Sequence, residues 1–227
     1  MPQFDRYRDT YEEEIGQAVA FSGRSLEFFT DVKTRRLLDV ARRHVGEPDS
    51  LRALDVGCGT GVTDRHLSTE FRSLHGTDIS PAMVQRATEA NPEVTYEVYD
   101  GNRLPYDDDS FDLTFTICVV HHVPPSSWER FLGELRRVTR PDGAVVVFEH
   151  NPLNPLTRLV VSRCSFDEDA VLLRPSKLQA LLRTTGLEPL EASYLLFFPW
   201  QSKLLDRVEQ RLRRFPLGAQ YFVAARA

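Results

Sequence analysis

"ALDVGCGTGVTD", residues 53–64, is an apolar run that breaks into glycines at alternate positions, Gly57, Gly59 and Gly61. Such a stretch predicts a buried strand turning tightly into a helix, with backbone amides exposed at the turn. What the turn holds depends on spacing. A P-loop needs G-x-x-x-x-G-K-[ST], and here Gly61 is followed by Val62 and Thr63 with no lysine, so that reading fails. A dinucleotide fingerprint places its third glycine where Val62 stands; Gly61 comes one residue early, which makes the match weak.

On either side of this turn the chain changes character. Residues 1–50 read as helices, with Leu26, Phe29, Val32, Leu37, Val40 and Ala41 at roughly helical spacing. From residue 51 strands and helices alternate. Strands are expected at 51–56, 74–78, 93–100, 111–118 and 144–150, and helices at 62–71, 80–90 and 126–140. Ser80 is placed to cap the second of these helices, with Pro81 at its first position. "PDG" (141–143) reads as a turn into the fifth strand, whose continuous apolar run "AVVVFEH" implies burial on both faces, as in a parallel sheet covered by helices. The alternation predicts a doubly wound α/β fold. The last third departs from it, with a helix at 177–186, a strand "EPLEASYLLFFP", a helix at 202–215 and a terminal strand at 219–227, and the return allows an antiparallel final strand.

The bulk properties narrow the function. Lys and Arg total 28 against 33 Asp and Glu, a net charge of -5, so no basic face for nucleic acid is expected. Cys58, Cys118 and Cys164 are an odd number without paired spacing, which favours a reducing compartment over a disulfide framework. The polar, acidic start "MPQFDRYRDTYEEE" is no secretory signal, and no apolar run approaches the ~20 residues of a membrane span. A cytoplasmic protein acting on small molecules is the expectation; the oligomeric state is not legible.

The stretch "LDVGCGTG" resembles the first motif of the class I S-adenosylmethionine-dependent methyltransferases, a G-x-G-x-G loop after an acidic residue, here Asp55. The order of later segments is similar too, over residues 51–151, most like the ubiquinone/menaquinone-biosynthesis type and its small-molecule relatives. The resemblance implies a Rossmann-like, mostly parallel seven-stranded sheet with an antiparallel last strand, in one domain. Residues 1–50 would be a helical lid, 51–150 the cofactor core and 151–227 the acceptor side. It also implies the cofactor, S-adenosyl-L-methionine, leaving S-adenosyl-L-homocysteine as product. This ligand has no phosphate but carries an ammonium and a carboxylate. Asp55 would take the ammonium, while Gly57, Cys58, Gly59, Thr60 and Gly61 let the backbone approach. Asp78, 21 residues beyond Gly57 and so close to the ~20 of an acidic ribose contact, would take the ribose hydroxyls. Ile79 and Met83 would pack on the adenine, with Asp100, Gly101 and Asn102 at its exocyclic amine and Cys118 nearby.

Methyl transfer to a hydroxyl also needs a base. His121 and His122, after the fourth strand, and His150, after the fifth, lie at the sheet edge where α/β proteins bind ligands. A paired-histidine metal site lacks an evident third ligand, and "YDDDSFD" reads as a solvated loop, so no metal is expected. "FEHNPLNPLTR" (148–158), with two Asn-Pro steps, predicts an extended, turn-rich loop in which Asn151 and Asn154 are candidate acceptor contacts. Tyr7 and Tyr11, at helical spacing with Phe4, are further candidates for substrate contact. The expected reaction is methyl transfer to a small organic acceptor, a hydroxyl of a sugar, glycan precursor or specialised metabolite. N- or C-methylation, a non-methyl reaction such as cyclisation, and a non-catalytic partner subunit stand as alternatives.

Overall fold

The computed structural model describes residue 16 and residues 25–164, 167–198 and 203–227. A long helix, α1 (Leu26–His44), leads into β1 (Arg52–Val56), a short α2 (Asp64–Leu67), β2 (Ser73–Asp78), α3 (Pro81–Ala90), β3 (Thr95–Val98) and β4 (Phe111–Ile117). After α4 (Trp128–Val138) come β5 (Thr139–His150), α5 (Pro155–Val161), α6 (Pro175–Thr184), β6 (Glu188–Leu195), α7 (Lys203–Leu212) and β7 (Gln220–Arg226). Among the described residues, seven strands form one sheet in the order β3-β2-β1-β4-β5-β7-β6. β1 to β5 are mutually parallel, and β7 runs antiparallel to both β5 and β6. This is the Rossmann-like arrangement expected, with the antiparallel last strand.

The central strands are apolar on both faces because both faces are covered. On one side Leu54, Val145 and Val147 join Phe131, Leu132 and Leu135 of α4 and Leu178 and Leu182 of α6. On the other, Ala53, Phe115 and Phe148 meet Leu37, Val40 and Ala41 of α1. The strand order reverses between β1 and β4, and the crevice beyond their carboxyl ends is where such sheets bind ligands.

Several elements differ from the sequence reading. Helix 62–71 shrinks to Asp64–Leu67 flanked by turns. "PDG" does not end a loop: it lies within β5, which starts at Thr139 and absorbs the turn as a register shift between Phe111/Thr139 and Leu113/Ala144, with Asp142 at φ 65°. The second Asn-Pro step of "NPLNPLTR" starts a helix. Asn154 Oδ1 accepts from the amides of Leu156 and Thr157, and Pro155 takes the first helical position, where its missing N–H costs nothing.

Candidate active site

The crevice at the strand reversal opens into a cavity of about 490 Å³. At one end lies the glycine turn. The amides of Gly57 and Cys58 donate to Thr77 O at 2.7 and 3.1 Å, pinning the turn to the end of β2. Gly57 stands at φ 83°, and a Cβ there would overlap the Val119 side chain beyond β4, so only glycine lets the two loops approach this closely. Asp78, closing β2, accepts from the Gly59 amide at 3.0 Å and the Ser80 amide at 2.9 Å. These two amides hold the Asp78 carboxylate at the cavity wall. Asp55, Gly57, Cys58, Gly59, Thr60, Asp78, Ile79, Met83, Gly101 and Cys118 all line the cavity.

Gly61, Asp100 and Asn102 do not. Gly61 sits beneath the turn, where a Cβ would overlap Asn91 and Tyr96. The Asp100 carboxylate is turned back onto the amides of Asn102 (2.8 Å) and Arg103 (3.0 Å), which hold it below the usual carboxylate range. It shapes the turn that presents Gly101, and Tyr99 takes the wall position instead.

Behind Asp55 stands a second buried carboxyl that the sequence reading passed over. Asp64 Oδ2 accepts from Tyr96 Oη at 2.8 Å, and Tyr96 Oη is reached by Asn91 Nδ2 at 3.0 Å, which also donates to Gly61 O. Oδ1 of Asp55 and of Asp64 are both buried without a hydrogen-bond donor, and the two carboxyls interact electrostatically, which favours the protonated form of the pair. Burial pushes Asp64 up to about 7, and burial followed by the charge of Asp64 pushes Asp55 well above the carboxylate range. Lys33, reaching from the sheet-facing side of α1, lines the same cavity and partly opposes this at Asp55.

The other end holds the histidines. His121 is buried on the short turn after β4, its Nδ1 at 2.6 Å from Glu149 Oε2 and its Nε2 at 3.5 Å from Asp167 Oδ1. Burial alone would lower its pKa; the two carboxylates outweigh burial and hold it well above the usual histidine value. Their own carboxyls, which burial would raise, are in turn lowered by His121. His122 Nε2 lies 3.3 Å from Asp167 Oδ1, and burial and the neighbouring His121 charge take its pKa down to about 4. His150, with its ring centroid 5.1 Å from that of His121, is lowered to about 4 by the same causes. All three imidazoles reach the cavity wall, joined by Leu156, Thr157 and Val160 of α5 and by Leu26 and Phe29 of α1.

The expectation that nothing joins the histidine pair is corrected here. Asp167 does, brought from 45 residues beyond His122 by the turn after α5. Asn151 and Asn154 are corrected as well. Asn151 Nδ2 is spent on the carbonyls of Pro216 and Gly218, and Asn154 caps α5 while donating to Leu217 O, so neither faces the cavity. Tyr7, Tyr11 and Phe4 lie outside the described residues. Leu196, just past β6 at φ 61°, also lines the cavity. Two missed residues had signals: Glu149 is an acid inside the apolar run of β5, and Lys33 falls between Phe29 and Leu37 on the apolar side of α1. Asp167 had none.

This geometry defines a class. A glycine turn without phosphate chemistry, an acid ending β1 and another ending β2 are the attributes of a class I S-adenosylmethionine-dependent methyltransferase, and the comparisons agree. Residues 54–147 match the methyltransferase domain family. Over 205 residues, 82% of this chain and 71% of the relative, the sequence is 30% identical to the 27-O-demethylrifamycin SV methyltransferase of Amycolatopsis mediterranei. The chain belongs to the S-adenosylmethionine-dependent methyltransferase family. It is also 38% identical over 108 residues to the 2-methyl-6-phytyl-1,4-hydroquinone methyltransferase of Synechocystis, covering 46% of this chain and 33% of that one. With two further curated relatives the matched share of their length is 37% and 35%, so the likeness spans about a third of such proteins. The fold superimposes on a solved S-adenosylmethionine-dependent methyltransferase from Thermotoga maritima with a TM-score of 0.70 at 19% identity, covering 98% of this chain and 97% of that one. Among the described residues no helix is long and apolar enough to cross a membrane.

Proposed function

We propose that the chain is a cytoplasmic O-methyltransferase that moves the methyl group of S-adenosylmethionine to a hydroxyl of a small, largely apolar acceptor: a specialised metabolite, sugar or glycan precursor. One observation carries this reading: the glycine turn and the histidine cluster line the same cavity. The cofactor fits the first end. Asp55 Oδ1 is buried without a donor and suits the ammonium; Asp78 lines the cavity as an acceptor for ribose hydroxyls; Ile79 and Met83 offer apolar surface for the adenine. When bound, the cofactor supplies a methyl group carried on a sulfonium.

The protein's share is to hold the acceptor oxygen in line and remove its proton. His121 is unsuited to that task because both its ring nitrogens face carboxylates. His122 and His150, the other two imidazoles on the wall, are the candidates. The apolar side chains Phe29, Leu156 and Val160 suit an acceptor of low polarity. The name of the Amycolatopsis relative, 27-O-demethylrifamycin SV methyltransferase, supports an oxygen acceptor.

The first test is calorimetric titration with S-adenosylhomocysteine, with NAD as control. Micromolar binding of the former alone supports the reading and justifies an acceptor screen with labelled methyl donor. Binding of NAD, or of neither by folded protein, overturns it.

A further inference from the structure

The cluster around His121 brings two imidazoles onto one carboxylate oxygen. His121 Nε2 and His122 Nε2 lie 3.5 and 3.3 Å from the same atom, Asp167 Oδ1. Both are longer than the ~2.7–3.2 Å of an N–H···O hydrogen bond. Asp167 is 7% exposed, and its Oδ1 has no hydrogen-bond partner although it points at two imidazoles. Zinc binds imidazole nitrogen and carboxylate oxygen at about 2.0–2.2 Å, so two ligands of a tetrahedral ion stand about 3.4 Å apart. The three donor atoms lie within 4.8 Å of one another, near enough for one ion to draw them onto a common face. The other nitrogen of His121 is held at 2.6 Å by Glu149 Oε2, the outer carboxylate that metal-ligating histidines carry to fix ring and tautomer.

We propose that His121, His122 and Asp167 form a divalent-cation site of the Zn²⁺ class, with Glu149 orienting His121 and the fourth position open to the cavity. Two nitrogens and one oxygen with an open position make a catalytic rather than a structural zinc geometry. Placed at the acceptor end, the cation takes the acceptor hydroxyl as its fourth ligand and lowers the pKa of that hydroxyl. His122 is then a ligand, which leaves His150 as the imidazole on the wall free to receive the proton. The inference rests on reading this as the acceptor end, but cation binding is measurable without any acceptor.

The test uses the full chain, stripped with chelator and dialysed against Zn²⁺ with elemental analysis, and in parallel against Co²⁺ with visible absorption. The expected result is one Zn²⁺ per chain and the intense visible bands of tetrahedral Co²⁺. His122→Gln and Asp167→Asn each weaken binding by about 100-fold or more, and Glu149→Gln by about 10–100-fold. His66→Gln, altering a histidine outside the cluster, leaves it unchanged. Thermal unfolding and S-adenosylhomocysteine titration on the same samples show which variants are folded; if either ligand variant fails to fold, the other decides. No stoichiometric Zn²⁺, or binding untouched in the folded ligand variants, overturns the site. S-adenosylhomocysteine binding without Zn²⁺ binding sinks the cation site alone, and the converse sinks the cofactor reading alone.

Discussion

The buried pair Asp55–Asp64 makes cofactor affinity depend on pH in a calculable way. Burial raises Asp64 to about 7, and burial followed by the charge of Asp64 raises Asp55 well above the carboxylate range, so the pair holds its protons at acidic pH. A cationic amino group seeks an ionised Asp55, so binding must first expel a proton. One expelled proton weakens binding by at most about tenfold per pH unit. S-adenosylhomocysteine should therefore bind several-fold, and at most about 30-fold, more weakly at pH 6.0 than at pH 7.5.

Asp64→Asn changes this without moving atoms. The amide oxygen can still accept from Tyr96 Oη, and the neighbouring negative charge is gone. That loss favours ionised Asp55 and should lower its midpoint, so the ratio between the two pH values shrinks.

Stability moves with the same proton. A carboxyl whose pKa is raised on folding binds its proton more tightly in the native state. Its contribution is therefore present at low pH and lost as pH rises from its ordinary 3.8 to about 7. For Asp64 that window is worth up to about 4 kcal/mol, and Asp64→Asn should lose none of it. Calorimetry at the two pH values and urea unfolding between pH 4 and 8 measure both effects. An affinity flat with pH in the wild type, or an unchanged ratio in Asp64→Asn, refutes the raised, coupled pair.

Gly57→Ala should destabilise the fold by about 2–4 kcal/mol in urea unfolding, combining a left-handed backbone with overlap on Val119. Adding Val119→Ala should return part of that loss, and no recovery would refute the steric account. Asn154→Ala should cost about 1 kcal/mol by removing the cap of α5 while leaving S-adenosylhomocysteine affinity within twofold, since its side chain faces the helix and Leu217. Once an acceptor is found, His122→Asn or His150→Asn should lower kcat about 10²-fold or more with cofactor affinity intact; full activity in both would remove base catalysis from this wall.

The sequence was most legible where chemistry is local. Gly57, Gly59, Asp55 and Asp78 lie at strand ends within a short span, and the backbone that presents them follows from that span alone, which is why they line one cavity. Asp100 and Asn154 were misjudged for a local reason too: a short polar side chain beside free amides bonds to its own turn or caps its own helix before it can face a ligand. Asp64 and Asp167 fail differently. An acid in the first turn after a glycine loop is unremarkable in a sequence, and only the register of β2 against β3, which brings Tyr96 over Gly76, shows that Asp64 is sealed in. Asp167 meets the histidines because α5 and the turn after it fold back over the cavity, and nothing in residues 121, 122 or 167 announces that return. What a single sequence hides is thus the long-range pairing of charges. In this site those pairings set the electrostatics of each end of the cavity: Glu149 and Asp167 face both ring nitrogens of His121, and the charge of Asp64 adds to burial in raising Asp55.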